Sequence, residues 1–182
     1  MDYTYLHNHL RNNGFTGLPI SVCADGTIYG KDDLTDAQQA QLSAAIDSYD
    51  PLPYLKTDAC SRIDATAEAL RQNVLTPGSG QAAEYYLTHA EALNYLALVS
   101  AGKTPTDTDY PFLLAEQAAL VATAGAVTLT AVATAIMTDV GTSKTALAAI
   151  KEARRKGKLA VNAATDAAGV AAAEAAVVWP EG

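Results

Sequence analysis

The chain has 182 residues, a net charge of −8 and a pI near 4.7, which suits one domain or a compact domain with a small appendage. So acidic a balance excludes a dedicated nucleic-acid binder, whose surface must offer positive charge to phosphates. Residues 114–178 hold 23 alanines, while the whole chain has two Phe and one Trp; this excludes a core of bulky side chains there and favours long, closely packed helices, shared between chains.

Residues 1–33 differ from the rest and read as an N-terminal attachment segment, with 34–182 as the helical domain. Leu18–Cys23 and Thr27–Tyr29 flank Ala24-Asp25-Gly26, where Asp-Gly is a strong turn signal, so a small β-hairpin is expected. A loop or strand carrying Asn12-Asn13-Gly14 and Gly17 should precede it. Thr35 and Gln38 have the Thr-x-x-Gln spacing of a capping box. Leu42, Ala45, Ile46 and Tyr49 follow at helical intervals, and Asp50-Pro51 ends the element. Pro51 and Pro53 read as a stiff connector to a helix over about 57–74, with Cys60, Ile63, Ala67, Leu70 and Val74 on one stripe.

Thr76-Pro-Gly-Ser-Gly80 reads as a sharp turn in which Ser79 caps a helix over 81–100, with Tyr86, Ala90, Leu93 and Ala97 on one face. Two helices joined by so short a turn should be antiparallel neighbours. Residues 101–109 form a loop, and Pro111 suits the first turn of a short helix over 112–124. After a break at Gly125–Thr128, Thr128 caps a long helix to about Ala163, provided Gly141 and Gly157 are tolerated inside it; otherwise there are two. Its stripe is Val132, Ile136, Val140, Leu147 and Ile150. Thr165 caps a last short helix before Trp179-Pro180. The expected fold is therefore mainly α: an antiparallel helical bundle with alanine-rich C-terminal helices and a small N-terminal β-hairpin region. Residues 117–138 carry no charge, but Ala, Thr, Gly and Val are too weakly apolar a mixture for a membrane span.

Candidate chemistry is sparse. His7 and His9 would share a face on a strand, but no third metal ligand stands at useful spacing. Gly78-Ser-Gly80 lacks the strand and the Lys-Ser/Thr of a phosphate loop, and Gly141-Thr-Ser-Lys-Thr145 lacks the upstream glycine. Asp107-Thr-Asp109 opens no twelve-residue calcium loop. His89 has no acid–base partner three or four residues away, and no Ser-His-Asp set, Cys-His pair or cradled pair of carboxylates emerges. Neither an enzymatic activity nor a cofactor or metal is expected. Cys23 and Cys60 read as free thiols, and residues 1–9 lack the basic start and apolar run of a signal peptide.

What remains is contact chemistry. Six of the twelve cations fall within 144–158. Lys151, Arg154 and Arg155 in that stretch read as a docking patch for an acidic partner or nucleic acid, or as a solvated helix face. Tyr3, Tyr5 and Leu6 read as anchors for a partner, Tyr3 and Tyr5 alternatively as cover for the chain's own core. Trp179 either packs back on the bundle or meets a partner.

Several stretches follow one another in a telling order: Asp25-Gly-Thr-Ile28, Leu34-Thr-Asp-Ala-Gln-Gln39, Ala44-Ala-Ile-Asp-Ser-Tyr-Asp-Pro51, Thr76-Pro-Gly-Ser-Gly-Gln-Ala82, and an alanine-rich helix finishing in Val177-Val-Trp-Pro180. Together they resemble the small tail-associated proteins encoded beside tail-fibre genes in tailed bacteriophages and prophages. The resemblance runs from about residue 20 onward and rests on turns, caps and the terminal Trp-Pro; residues 1–18 match nothing in it. It implies a virion protein made in the host cytoplasm: a structural component of the tail, either fibre or fibre-to-baseplate connector. Its implied partners are other tail or baseplate proteins and further copies of itself, three in a fibre. The alternative is a fibre-assembly chaperone absent from the mature virion.

Overall fold

The computed structural model describes residues 3, 5–75 and 79–180, with backbone only at 79, 80 and 124. The chain is mainly α with a small N-terminal antiparallel hairpin, as its patterning implies. It divides into two compact units, Met1–Ile63 with Lys156–Val177, and Asp64–Arg155 with Val178–Gly182. The 33/34 division drawn from composition falls inside the first unit, because the N-terminal segment and the next helix share one core.

In the first unit, α1 (Leu6–Leu10) leads into a wide π-type turn over Arg11–Phe15. Residues 6–12 are thus helical where a loop or strand was expected, while Asn13 and Gly14 leave helical geometry, Gly14 at φ 93°. Leu6, Leu10 and Phe15 are buried in one cluster with Leu34, Leu42, Ala45 and Tyr49; that burial fixes α1, and the Asn12-Asn13-Gly14 signal takes effect as the kink after it. The hairpin follows as β1 (Ser21–Val22) and β2 (Ile28–Tyr29), pairing Ser21 with Tyr29 and Val22 with Ile28. Its turn closes by Gly26 N–H donating to the Cys23 carbonyl at 2.9 Å. The Thr27 N–H also donates to Asp25 Oδ1, which holds the Asp25 carboxyl below its ordinary range.

The capping box forms as the spacing requires and starts α2 (Asp36–Asp47): Gln38 N–H reaches Thr35 Oγ1, and Thr35 N–H donates back to Gln38 Oε1. α3 (Leu52–Val74) begins five residues earlier than expected, because Asp50 Oδ1 accepts from the Leu52 N–H at 2.9 Å. Pro53 falls in the first turn, where a missing N–H costs no hydrogen bond. Ala59, Ile63 and Ala67 form the buried stripe of α3, with Cys60, Leu70 and Val74 half-buried beside it.

In the second unit, α4 (Ser79–Ser100) and α5 (Pro111–Ala124) pack together around Ala92, Tyr95, Tyr110 and Leu113. The Tyr95 and Tyr110 rings meet edge to face, their centroids 5.1 Å apart. The turn at Thr76–Gly78 and the capping role given to Ser79 lie outside what the structure describes. α6 (Leu129–Ala163) is one helix and contributes to both units. It starts with Ala131 N–H donating to Thr128 Oγ1, as the cap at Thr128 requires. Gly141 faces open space, while Gly157 is the residue the packing needs: a Cβ there would stand 2.5 Å from Val177 Cγ2. α7 (Ala167–Ala175) is capped by Asp166, not Thr165; the Asp166 carboxylate accepts from the Gly169 N–H at 2.7 Å.

The N-terminus of α5 is held by a group no local signal reveals. Tyr110 supplies no side-chain cap, and Glu91 Oε2 of α4 accepts from the N–H groups of both Phe112 and Leu113, at 2.9 and 3.0 Å. A carboxylate there satisfies two orphan donors and opposes the positive end of the helix dipole. Glu91→Ala is therefore expected to cost about 1–2 kcal/mol. A fall in urea midpoint at unchanged slope would register it; an unaltered midpoint would mean water replaces the carboxylate.

Candidate functional site

The residues marked out by sequence fall in different surroundings. Leu6 is fully buried in the core of the first unit. Tyr3 packs against the same core, its ring lying over Gly26 in the hairpin turn. Tyr5 stacks on Tyr54 at 5.5 Å with planes 9° apart, and its hydroxyl donates to Asp58 Oδ2 at 2.5 Å. These three side chains are bound up with the chain's own interior. His7 and His9 lie on α1, where residues two apart point to different faces. His7 is exposed, and His9 Nε2 sits 3.0 Å from the Ala45 carbonyl, its ring edge-to-face with Tyr49. Among the described residues, no three His, Cys, Asp or Glu side chains gather as a metal site would require.

On α6, Arg154 Nε donates to Asp64 Oδ1 at 2.7 Å, a structural ion pair, while Lys151 and Arg155 stand exposed. Trp179 is half-buried. In the first unit Arg62 grips Glu174 with two hydrogen bonds of 2.6 and 2.7 Å. Those bonds pull the Glu174 carboxyl below its ordinary 4.5, with burial opposing them and charge attraction adding to them, and hold Arg62 above its own ordinary value. A depressed acid stabilises the fold above its unfolded value and loses that contribution as pH falls through the folded one. Glu174→Gln should therefore destabilise at pH 7, by under about 1 kcal/mol because the pair is half in solvent. The difference should vanish at an acid pH below the folded value of Glu174, where both forms are neutral. Urea midpoints at the two pH values check this; an equal loss at both would assign the effect to packing.

The surface feature with most to offer lies in the second unit. The buried side of α4 carries Thr88, Ala92 and Tyr95. Tyr86, Ala90, Leu93 and Ala97 do share a face, but it turns to solvent: Tyr86 is 71% exposed and Leu93 52%. An opening lies on the inward side. Val74, Leu75, Tyr85, Thr88 and Glu116 meet Ile136, Val140, Ser143 and Leu147 around a cavity of about 480 Å³, with Asp139 and Lys144 also on its wall.

The register of these residues shows what the opening is. Tyr85 stands seven residues before the buried Ala92, and Leu120 seven after the buried Leu113, so both occupy core-facing positions. Yet Tyr85 is 56% exposed and Leu120 39%. On α6 the inward stripe is buried at Val132, half-covered from Ile136 to Leu147, and buried again at Ile150. The core of this unit is closed around Tyr95 and Tyr110 and open around Tyr85. Sequence reasoning found the α6 stripe but not the opening beside it.

No family model, no curated protein and no solved structure matches the chain.

No helix among the described residues is long and apolar enough to cross a membrane.

Proposed function

We propose that the chain is a structural component of a bacteriophage tail, a fibre or fibre-to-baseplate connector, and that it acts by protein–protein assembly within the virion. The resemblance carried by Asp25-Gly-Thr-Ile28, the Thr35 capping segment, Thr76–Ala82 and the terminal Trp179-Pro180 supplies the identity of the assembly. The observation that supports an assembly role is the apolar surface exposed on α4 at Tyr86 and Leu93, since exposed apolar patches mark protein–protein contacts. The partners under this reading are other tail or baseplate proteins and further copies of the chain.

Purified particles of a phage whose genome encodes the chain provide the test. Stoichiometric copies found by mass spectrometry in washed particles would support the reading. A chain needed for fibre assembly yet missing from finished particles would replace it with the chaperone alternative. A chain neither present nor needed would sink both.

A further inference from the structure

We infer that the segment before α1 and the helix α7 are joined through Asp58 and Arg62 of α3 into one latch, so that loosening either end loosens the other. Tyr5, directly before α1, donates its hydroxyl to Asp58 Oδ2 at 2.5 Å. Arg62 stands four residues after Asp58, one turn along the same face of α3. It grips Glu174 of α7 with bonds of 2.6 and 2.7 Å. Two stretches from opposite ends of the sequence are thus held by neighbouring, oppositely charged side chains of one helix.

The link between the two contacts is electrostatic. Arg62 is held above its ordinary value first by its bonds to Glu174, against burial, and further by the charge of Asp58. While the Tyr5 hydroxyl donates to Asp58, part of that charge is satisfied locally. Without this donor Asp58 draws harder on Arg62, as an Asp–Arg pair spaced i,i+4 on a helix does, and the grip on Glu174 slackens. Conversely, an Arg62 that has lost Glu174 turns to Asp58 and competes with Tyr5 for it. Coupling of this kind acts equally in both directions. Each end also covers apolar surface. α7 buries Val170, and Val177 beyond it seats against α6 and α3: a Cβ on Gly157 would stand 2.5 Å from Val177 Cγ2 and 3.3 Å from Ile63 Cδ1. The other end carries α1 with buried Leu6 and Leu10. A partner that draws Tyr5 off α3 therefore loosens the seat of α7 as well.

The test is amide hydrogen exchange of the full chain, read residue by residue by NMR. It is independent of the tail assignment, which is read from particle composition. Tyr5→Phe keeps the ring that stacks on Tyr54 and removes the hydroxyl alone. It should speed exchange at Val170 and Ala176, whose N–H groups donate to the Asp166 and Ala172 carbonyls, by about two- to fivefold. Glu174→Gln should in turn speed exchange at His9, whose N–H donates to the Tyr5 carbonyl. Amides in the middle of α5 belong to the other unit and should not change. In an Asp58→Asn background the effect of Tyr5→Phe on α7 should vanish, since a neutral side chain has no charge to turn on Arg62. A rise shared equally by α5 would report a general loss of stability and overturn the latch. So would α7 amides that ignore Tyr5→Phe, or a response that survives Asp58→Asn.

Discussion

Gly30→Ala is expected to cost about 3 kcal/mol or more and to open the N-terminal hairpin. Two penalties coincide at this position. Gly30 has φ 79° and ψ 4°, a left-handed conformation that costs a residue with a Cβ about 1–2 kcal/mol. The added Cβ would also stand 1.8 Å from the Pro19 carbonyl oxygen. That oxygen belongs to the backbone, so no rotamer change relieves the clash. The Pro19 segment is itself constrained, with Ile20 N–H bonded to the Leu18 carbonyl at 2.8 Å and Ser21 paired to Tyr29. Relief therefore requires the strands to separate. Gly102 provides the comparison: its φ is 71°, but nothing lies within 4 Å of an added Cβ. Gly102→Ala should cost only the conformational part, about 1 kcal/mol. Urea unfolding of both variants separates the contributions, and equal losses would show that the approach to Pro19 carries no energy.

Elements written in short-range chemistry were legible in the sequence. Asp25-Gly26 placed the hairpin, Thr35 with Gln38 placed the start of α2, and Pro111 and Thr128 placed two more helix starts, because each signal acts within four residues of itself. Elements decided by distant partners were not. α1 is chosen by burial of Leu6 and Leu10 beside Leu42 and Ala45, more than thirty residues away. The inward face of α4 could not be read from periodicity, since Tyr86-Ala90-Leu93-Ala97 and Thr88-Ala92-Tyr95 are comparably apolar stripes and only contact with α5 separates them. Glu91 as the cap of α5 is invisible for the same reason: the N–H groups it accepts from lie 21 and 22 residues on. The candidate site shares this limit. Tyr85 and Leu120 have the spacing of core residues yet stand 56% and 39% exposed, which no spacing records.

Leu6→Ala is expected to destabilise the first unit by about 2–5 kcal/mol, the range for emptying a fully buried leucine site. Its effect should fall in the upper part of that range for a reason specific to this segment. α1 has five residues, far too few to persist as an isolated helix, so its existence depends on the side chains it buries. Leu6 is 0% exposed and Leu10 2%, and they are the buried pair that fixes α1 in the cluster with Leu42, Ala45 and Tyr49. Loosening α1 also disturbs Tyr5, the residue before it, whose stack on Tyr54 and bond to Asp58 tie the segment to α3. The alternative role for Leu6, an anchor for a partner, makes the opposite pair of forecasts. An anchor lost to alanine leaves the melting curve in place and weakens association. A core leucine lost to alanine lowers the melting temperature and, below that temperature, leaves association with a partner unchanged. With the side chain wholly enclosed in the folded chain, the second pair is the expected result, and thermal melting followed by sedimentation of the same variant distinguishes the two.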